Sequence, residues 1–562
     1  MTDRLKIALA QLNPVVGDVA GNLRRLREAR AEAASLGAEL MVASELVLCG
    51  YPPEDLVLKA HFLEEVETAL DALALETADG GPALLIGAPW REDRTRQEAL
   101  RGHVFNAAFL LAEGEVAAVR CKHELPNYGV FDEVRVFKPG PLPGPVSFKG
   151  VRLGVMVCED MWVEDVAECL EESAAELLVV INGSPFEWDK YDERMQLAVA
   201  RVVETGLPLV YVNQVGGQDE LVFDGGSFVL NADRALATQM PAFETAIALT
   251  AWHRGEDDSW RCEAGRMEPL EEGLEPIYRA LILGLRDYVG KNGFPGVVIG
   301  LSGGIDSALS AAIAADALGA EQVRCVMMPS PYTSRESLED AAECAGLLGL
   351  QLDDVSIEPA MQAFETMLRP LFDSLPPDTT EENIQARARG ILLMALSNKF
   401  GHMVLSTGNK SEMSVGYATL YGDMCGGYNV LKDVYKTMVY KLSQWRNQAL
   451  PEGALGPAGR VIPERIITKA PSAELKPAQT DQDSLPPYEA LDDILACLIE
   501  GEVPVEGIVA RGHERAIVNR VWRMLENAEY KRRQAPPGVK ITRRAFGRDR
   551  RYPIVNAFKG PA

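Results

Sequence analysis

Short apolar runs alternate with helix-like segments along this chain, and no other feature restricts its fold as strongly. The run from Ile7 to Leu12 ends at Asn13-Pro14, and Asn22 then offers an N-cap to a segment that continues to Leu36 with its apolar residues spaced for one helix face. Further apolar runs typical of strands lie at 40–43, 84–86, 151–157 and 177–181. Strands that alternate with helices in this way predict the α/β fold class.

The alternation occurs in two separate blocks. The first block weakens at residues 253–273, which are polar and acidic, and the second begins with a helix-like segment from Leu274, followed by the apolar run Val297–Leu301. A chain of 562 residues is also too long for one core, since domains usually contain about 100–200 residues. We therefore predict a first domain over residues 1–252, a linker over 253–273 and a second domain over 274–562.

The charge balance argues against several classes of function. Lys and Arg number 56 against 82 Asp and Glu, so the formal net charge is −26. Proteins that coat nucleic acid or anionic membranes are usually basic, which this chain is not. The N-terminus is charged where a signal peptide would need an apolar core, and no long apolar run follows. We expect a soluble, intracellular protein with neither a membrane nor a nucleic acid as partner.

The cysteines and histidines argue against a disulfide framework, a zinc ribbon and a metal centre held by histidines. The nine cysteines include no C-x-x-C pair, which is not typical of a disulfide framework or a zinc ribbon and favours the reducing cytoplasm. The six histidines include no H-E-x-x-H motif and no close pair. Any metal is therefore expected on carboxylates.

Three polar residues lie at the ends of apolar runs, where α/β folds present catalytic groups. Glu45 follows the run at 41–43, Cys158 follows the run at 151–157, and Lys122 precedes a polar loop. Together they supply a thiol nucleophile, a carboxylate that can take its proton, and an ammonium that can stabilise an oxyanion. Taken singly, each has an ordinary explanation, because a strand-end cysteine is usually a buried small hydrophobe and an isolated Glu or Lys is usually a surface group.

The three segments, in this order, resemble the carbon–nitrogen hydrolase (nitrilase) superfamily. The string LPNYGVFDE at residues 125–133 is similar to its glutaminase branch. The resemblance implies an αββα sandwich in which Cys158 attacks the side-chain amide of glutamine, Glu45 is the general base and Lys122 supports the oxyanion. It also implies a glutamine pocket made by Tyr128, Glu159, Ser184 and Lys190, with Arg194 as an alternative to Lys190.

The second block contains a loop suited to phosphate. The strand Val297–Leu301 is followed by Ser-Gly-Gly-Ile-Asp-Ser at residues 302–307 and then by a helix. Small residues let backbone N–H groups approach an anion, and the N-terminus of the helix adds its partial positive charge. The loop is neither a Walker A motif nor a G-x-G-x-x-G fingerprint. A structural turn would explain the two glycines alone, but not the serines and the aspartate around them.

The string SGGIDS is similar to the pyrophosphate loop of ATP pyrophosphatases, which split ATP into AMP and pyrophosphate. Segments similar to the NAD synthetase family lie at 383–387, 406–412, 416–424, 432–436 and 471–475. At Ser472 that family more often has Thr. The resemblance implies a Rossmann-like ATP-pyrophosphatase domain whose acceptor is deamido-NAD (nicotinic acid adenine dinucleotide).

The resemblance also implies roles for individual residues of the second domain. Those implied for ATP are Gly300, Leu301, Ser302, Gly303, Gly304, Ile305, Asp306, Ser307 and Thr407. Those implied for deamido-NAD are Asn383, Glu412, Tyr417, Asp423 and Lys531, while Lys436 would contact a phosphate or the adenylate. Because ATP carries several phosphate charges, Mg²⁺ is the expected cofactor, with Asp306 and Glu412 as its candidate ligands. For Asp423, a plain turn residue after Gly422 is the alternative.

Residues 531–551 form a basic tail. They include nine Lys or Arg and one acid, Asp549, so their local charge is +8 and the rest of the chain carries −34. Such a run is usually a solvated face or a nucleic-acid patch. The string KRRQAPPG at 531–538 is similar to the tail of the NAD synthetase family, which favours a segment that closes over anionic substrates.

Together the two resemblances imply an amidotransferase. The first domain would release ammonia from glutamine, and the second would adenylate the nicotinate carboxylate of deamido-NAD, so that ammonia displaces AMP and NAD forms. Alternatives are an amidotransferase that aminates xanthosine monophosphate, an RNA-modifying or RNA-binding protein, and a nucleotide-sensing pseudoenzyme. The first of these would use a Cys-His-Glu glutaminase instead. The expected partners are glutamine, ATP, deamido-NAD and further copies of the chain in a homo-oligomer.

Overall fold

The computed structural model describes residues 3–91, 104–373 and 375–558. The chain divides into two units, Met1–Glu271 and Glu272–Ala562. Within the described ranges, no helix combines the length and the apolar character needed to cross a membrane. All nine cysteines are free thiols.

The first unit contains two large mixed sheets, one small hairpin and four α-helices among its described residues. Its strands are β1 (Arg4–Gln11), β2 (Leu40–Ala43), β3 (Ala83–Arg91), β4 (Val104–Ala112), β5 (Glu115–Cys121), β6 (Val146–Phe148), β7 (Val151–Val157), β8 (Leu177–Asn182), β9 (Leu209–Asn213), β10 (Val215–Gln218), β11 (Leu221–Asp224), β12 (Phe228–Leu230), β13 (Leu236–Gln239), β14 (Ala246–Arg254) and β15 (Trp260–Cys262). Its helices are α1 (Val19–Ser35), α2 (Ala60–Glu76), α3 (Glu164–Glu172) and α4 (Lys190–Thr205).

The two large sheets of this unit pack face to face. Their strand orders are β15-β14-β1-β2-β3-β4-β5 and β13-β12-β9-β8-β7-β6. Leu9 and Val42 of the first sheet belong to one buried cluster with Val155 and Val179 of the second. Helices α1 and α2 cover the outer face of the first sheet, and α3 and α4 cover that of the second. The unit is therefore an αββα sandwich, which confirms the predicted fold.

Residues 253–262 are not the linker that their composition predicted. His253 pairs with Arg4 of β1, and β15 pairs with β14, so both segments extend the first sheet. Trp260 and Cys262 are buried, whereas residues 256–259 of the connecting turn are exposed. The polar turn of an edge hairpin therefore produced the loop-like composition, and the first unit continues to Glu271.

The second unit contains one five-stranded sheet and twelve α-helices among its described residues. Its strands are β16 (Val297–Gly300), β17 (Val323–Met327), β18 (Gln351–Asp354), β19 (Met403–Ser406) and β20 (Tyr428–Asn429). Its helices are α5 (Glu275–Lys291), α6 (Ile305–Leu318), α7 (Arg335–Leu348), α8 (Glu358–Phe372), α9 (Thr379–Phe400), α10 (Lys410–Val415), α11 (Lys436–Arg446), α12 (Glu464–Thr468), α13 (Tyr488–Ile499), α14 (Val505–Ala510), α15 (Arg515–Asn527) and α16 (Glu529–Arg532).

The order of this sheet determines where a ligand can bind. All neighbouring strands are parallel, in the order β18-β17-β16-β19-β20. Helix α6 packs against β16 and β17, and α9 packs against β16 and β19. Because the strand order reverses at β16, a crevice opens at the carboxyl ends of β16 and β19. This arrangement confirms the predicted Rossmann-like domain.

A buried ion pair in this unit gives a stability prediction. Arg446 donates to both oxygens of Asp316 at 2.6 and 2.9 Å, and the hydroxyl of Tyr278 donates to the same carboxylate at 2.6 Å. We expect Arg446→Met to cost about 3–5 kcal/mol of unfolding free energy, because it leaves a buried carboxylate without its cation. Calorimetry of the full chain should show the loss. Arg369→Met, at an exposed pair with Glu365, is the control and should leave the transition unchanged.

Candidate active sites

The first candidate site surrounds Cys158 at the carboxyl end of β7. Cys158 is buried and begins a short 3₁₀ turn, Cys158–Met161. Its φ angle is +48°, a left-handed conformation that a non-glycine residue adopts only when the surrounding structure holds it there. A strained turn between a strand and a helical segment is typical of catalytic nucleophiles.

Lys122 joins two buried glutamates beside this turn. Its Nζ donates to Glu45 Oε1 and to Glu133 Oε1, both at 2.8 Å. The side chains of Lys122 and Glu45 are fully buried. The second oxygen of Glu45 accepts a hydrogen bond from the backbone N–H of Gly183 at 2.9 Å, which fixes the carboxylate in one orientation.

Burial and nearby charges set the protonation of the site. Burial raises the pKa of the Cys158 thiol well above its usual range, and the charge of Glu45 raises it further, whereas Lys122 lowers it. The resting thiol is therefore protonated at neutral pH and needs a base when it attacks. Burial alone would lower the pKa of Lys122, but the charges of Glu133 and Glu45 outweigh burial and raise it, so the ammonium stays charged.

Glu133 is a residue to which the sequence assigned no role. Tyr51 donates its hydroxyl to Glu133 Oε1 at 2.8 Å, and Asn106 Nδ2 donates to Glu133 Oε2 at 3.3 Å and to Glu45 Oε1 at 2.6 Å. Burial raises the pKa of Glu133, and the charge of Lys122 lowers it. The available signal was its position as the last residue of the string LPNYGVFDE.

The four residues implied for the glutamine pocket lie in two groups. The hydroxyl of Tyr128 donates to the two oxygens of Glu159 at 2.9 and 3.1 Å, and the Tyr128 side chain is half exposed. Ser184 and Lys190 are buried. The Nζ of Lys190 lies over the rings of Phe131 and Trp162, 5.8 and 5.6 Å from their centroids.

Arg194, the alternative to Lys190, is engaged within the protein. Its guanidinium donates to both oxygens of Asp224 at 2.8 and 2.9 Å and to the hydroxyl of Ser184 at 3.0 Å. It also donates to the backbone carbonyls of Ser184 and Pro185. These contacts place Arg194 as a support for the turn that carries Ser184.

The second candidate site is built on the loop between β16 and α6. The hydroxyls of Ser302 and Ser307 lie 3.1 Å apart, and the N–H of Gly304 donates to Ser302 Oγ at 3.2 Å. Gly303 has a φ of +81°, and a Cβ there would lie 2.2 Å from the carbonyl oxygen of Ser337, so this position requires glycine. Because α6 begins after Gly304 without a side-chain cap, its first N–H groups are left for an anion.

The loop opens onto a cavity of about 300 Å³ next to the carboxyl ends of β16, β17 and β19. Most of the residues predicted to bind ATP or deamido-NAD line this cavity, namely Gly300, Leu301, Ser302, Gly303, Gly304, Ile305, Asp306, Ser307, Thr407, Glu412, Tyr417, Asp423 and Lys436. Asn383 and Lys531 do not line it.

Asp306, Glu412 and Lys436 form one charged cluster in the cavity. The Nζ of Lys436 pairs with Asp306 and lies 3.4 Å from Glu412 Oε1, and Asn409 donates to Asp306 Oδ1 at 2.9 Å. Burial raises the pKa of Glu412 to about 8, and Lys436 opposes this shift while Asp306 adds to it. At neutral pH the Glu412 carboxyl is therefore largely protonated beside the ion pair of Asp306 and Lys436. Among the described residues, no group of three or more His, Cys, Asp or Glu could hold a metal alone.

The segment 416–423 ends at Asp423 and is contacted by Asn383 and Lys531. Thr419 donates its hydroxyl to Asn383 Oδ1 at 2.8 Å and its N–H to Asp423 Oδ1 at 2.6 Å. The Nζ of Lys531 donates to two backbone carbonyls of the same segment, at 2.7 and 2.6 Å. Burial raises the pKa of Asp423 to about 6. Asp423 therefore closes a turn, as its alternative explanation required, and also lines the cavity.

Arg389 on α9 is a second residue without a role in the sequence prediction. Its side chain lines the cavity, and its Nε donates to the backbone carbonyl of Met328 at 3.0 Å. Burial lowers its pKa to about 10, so the guanidinium is charged at neutral pH. It is within neither ion-pair distance nor hydrogen-bond distance of any carboxylate that the structure describes, which leaves it available to an anionic ligand.

The basic tail is largely neutralised by acids of its own unit. Its ion pairs are Arg532 and Arg533 with Glu529, Lys540 with Asp549, Arg544 with Glu502, and Arg550 with Glu526 and Glu529. Thr542 also bonds to Asp433, which pairs with the buried Lys410. The tail is thus packed into the unit, which argues against the RNA-binding alternative.

Two family models match the chain. The model described as NAD synthase matches residues 277–535, and the model described as carbon-nitrogen hydrolase matches residues 6–261. Their boundaries fall within the second and the first unit, respectively.

Relatives match over nearly their whole length. The glutamine-dependent NAD(+) synthetase of Rhodobacter capsulatus is 52% identical over 559 residues, which cover 100% of each chain. That of Thermotoga maritima is 44% identical over 589 residues, covering 99% of this chain and 100% of the relative. The solved structure of the glutamine-dependent NAD+ synthetase from Acinetobacter baumannii, in complex with ADP, is 42% identical and superposes with a TM-score of 0.77, covering 99% of each chain.

Proposed function

The chain belongs to the glutamine-dependent NAD(+) synthetase family, and from this premise we propose how its residues divide the reaction. The enzyme amidates deamido-NAD to NAD with ATP, using nitrogen from glutamine. We assign glutamine hydrolysis to the first unit, and adenylation and amidation to the second.

One observation carries the assignment of the first unit: Lys122 Nζ lies 2.8 Å from two buried glutamate carboxylates, beside the strained turn of Cys158. Burying three charged groups beside a thiol lowers the stability of a fold, and hydrophobic residues in their place would stabilise it more. Nucleophilic attack by the Cys158 thiol would give Lys122 and the two glutamates a chemical role that explains their burial.

The first unit hydrolyses glutamine through a thioester. The Sγ of Cys158 attacks the amide carbon while Glu45 takes the thiol proton. Lys122 stabilises the oxyanion of the tetrahedral intermediate, and Glu45 passes the proton to the nitrogen as the C–N bond breaks. Ammonia leaves, water then attacks the thioester with Glu45 as the base, and glutamate and the free thiol are restored.

The glutamine pocket recognises the two charged ends of the amino acid. Glu159, held by Tyr128, is negative and would bind the α-ammonium. Lys190 is positive and, together with the hydroxyl of Ser184, would bind the α-carboxylate. Arg194 keeps Ser184 in place through the hydrogen bonds to its side chain and carbonyl.

The second unit activates a carboxylate with ATP. The loop at 302–307 and the N-terminus of α6 would bind the phosphates through backbone N–H groups, with Thr407 beside them. An oxygen of the nicotinate carboxylate attacks the α-phosphorus and pyrophosphate leaves. Ammonia then attacks the acyl carbon, loses a proton, and AMP departs with that oxygen. Lys436 would stabilise the negative charge that builds up on the phosphate.

Mg²⁺ fits the charged cluster of Asp306 and Glu412. Mg²⁺ prefers one or two carboxylates plus substrate phosphates, and Asp306 and Glu412 supply two carboxyl groups at the cavity. When bound, the ion would neutralise charge on the phosphates of ATP.

We assign deamido-NAD to the turn at 416–423 and its supports. Tyr417 and Asp423 line the cavity, while Asn383 and Lys531 hold the same turn from outside the cavity. Arg389 adds a cation inside the cavity and would bind a phosphate of either nucleotide.

We further propose that the enzyme acts in the cytoplasm as a homo-oligomer. Nine free thiols without a disulfide are typical of a reducing compartment. Size-exclusion chromatography with light scattering tests the assembly.

The direct test of the proposed function is a product assay on the native chain. With deamido-NAD, ATP and Mg²⁺, glutamine should yield NAD, AMP, pyrophosphate and glutamate. Formation of ADP and phosphate instead of AMP and pyrophosphate would contradict the assigned adenylation.

Glu133 gives a prediction for the glutaminase half. We expect Glu133→Gln to lower kcat for glutamine hydrolysis by about 10²–10⁴-fold, because Lys122 and the hydroxyl of Tyr51 lose a charged acceptor. The release of glutamate measures this step. Glu124→Gln, a partly exposed residue near the same segment, is the matched control. A kcat of Glu133→Gln equal to that of this control would contradict the role assigned to Glu133.

A further inference from the structure

Asp160 lies two residues after the nucleophile and makes an unusual set of contacts. Its side chain is 1% exposed. Its Oδ1 accepts hydrogen bonds from the N–H groups of His123 and Glu124, both at 2.9 Å, and its Oδ2 accepts one from the N–H of Val157 at 3.0 Å. All three donors are backbone groups, and in the described part of the chain no cationic side chain forms an ion pair with Asp160.

The three donors belong to the two catalytic segments. His123 and Glu124 directly follow Lys122, whereas Val157 directly precedes Cys158. One carboxylate therefore joins the backbone beside the ammonium to the backbone beside the thiol. The contact spans 37 positions in the sequence, so local structure alone would not keep the two segments in register.

Hydrogen bonds from backbone N–H groups to a carboxylate are stronger than neutral ones. Burial raises the pKa of Asp160 to about 6, and the three N–H bonds oppose this rise, so the group is ionised at neutral pH. Removing the acceptor would leave buried N–H groups unsatisfied. The positive φ of Cys158 also needs surrounding contacts to hold it.

We propose that Asp160 is a positioning residue of the glutaminase site, which holds the Lys122 ammonium and the Cys158 thiol in the relative position that attack on the amide requires. The proposal rests on the assigned roles of Lys122 and Cys158. Asp160 itself acts through the backbone and is not assigned a contact with glutamine. Because a misplacement of about 1 Å can cost about 100-fold in rate, the effect should appear in kcat.

Two variants of Asp160 test the proposal. In Asp160→Asn, the amide group must place an NH₂ against at least one of the three backbone donors. In Asp160→Glu, the charge remains but the carboxylate is one methylene too long. For both we expect kcat for glutamine hydrolysis to fall about 100-fold, with KM for glutamine nearly unchanged. Iodoacetamide alkylates Cys158, and mass spectrometry of the peptide that contains it gives the rate. In both Asp160 variants this rate should differ from that of the native chain.

The controls separate positioning from general damage. Glu176→Gln alters another carboxylate that binds a backbone N–H of β7, at the opposite end of the strand, where Glu176 accepts from Arg152. It should keep native kcat. NAD formation from ammonium should be native in all three variants, because the second unit is untouched.

Several results would overturn the proposal. Native kcat in both Asp160 variants would do so, as would a loss that appears in KM alone. Should Asp160→Asn also lose the ammonium reaction through misfolding, Asp160→Glu decides, and native kcat in that variant would overturn the proposal. If Cys158→Ala abolishes glutamine hydrolysis while both Asp160 variants keep native kcat, the proposed function stands and only the positioning role fails.

Discussion

Cys158→Ala should abolish NAD formation from glutamine and leave NAD formation from ammonium at the native rate. Among the residues that the structure places in the site, the Cys158 thiol is the proposed group that forms the thioester, and removal of a catalytic nucleophile costs about 10⁴–10⁶-fold in kcat. Alanine is also smaller than cysteine and can adopt the same turn, so the surrounding Glu45, Lys122 and Glu133 should keep their contacts. The ammonium reaction needs only the second unit, which this substitution does not touch.

The measurement compares both nitrogen sources on the same preparation. Cys169→Ala is the matched control, because Cys169 is a half-buried thiol on α3 whose Sγ contacts the carbonyl of Pro143. It should retain both reactions. Glutamine-dependent NAD formation that persists in Cys158→Ala would show that another group releases the nitrogen.

Asp306→Asn should lower NAD formation from glutamine and from ammonium, and it should leave glutamine hydrolysis unchanged. It removes a charge from the cluster with Lys436 and Glu412, at the start of the helix that follows the pyrophosphate loop. In the proposed assignment, Mg²⁺ would lose a ligand and Lys436 its closest partner, so the phosphates of ATP would be bound with poorly balanced charge. Loss of one preorganised charge of this kind costs about 10²–10³-fold in kcat. NAD formation should fall by that factor with glutamine and with ammonium alike.

Glutamine hydrolysis provides the internal reference for this variant. Measured without nucleotides, it should match the native enzyme measured in the same way. Asp353→Asn on β18, where Asp353 pairs with Arg324 in a partly exposed position, is the control and should keep native synthesis. Native NAD formation by Asp306→Asn would contradict the roles proposed for Asp306 toward Mg²⁺ and the phosphates of ATP.

The alternation of apolar runs and helices predicted most of the fold. The run at 40–43 matches β2, and the run at 151–157 matches β7. The end of β14 and the whole of β15 were mistaken for part of a linker, since within residues 253–273 only Trp260 and Cys262 are buried and the residues between the two strands are acidic. The composition of a segment indicates how exposed its residues are. Because an edge hairpin is exposed along much of its length, its composition resembles that of a loop.

The motifs identified residues at the ends of strands. They did not identify residues that are brought to the site only by contacts between segments distant in sequence. Glu45, Cys158 and the loop at 302–307 follow directly from strand ends. Glu133 and Asp160 could not be predicted in this way, because their importance depends on contacts between segments distant in sequence. For Lys531, which the motif predicted to bind deamido-NAD, the contacts in the structure are with two backbone carbonyls.

One isotope-labelling experiment follows both the nitrogen taken from glutamine and the oxygen lost from the nicotinate carboxylate. The native chain is supplied with glutamine labelled with ¹⁵N in its side-chain amide, with deamido-NAD labelled with ¹⁸O in the nicotinate carboxylate, and with ATP and Mg²⁺. Mass spectrometry should find ¹⁵N in the carboxamide of NAD and one ¹⁸O in AMP, because the adenylated oxygen departs with the phosphate. Unlabelled AMP would contradict the proposed adenylation of the carboxylate, and NAD without ¹⁵N would contradict glutamine as the source of the nitrogen.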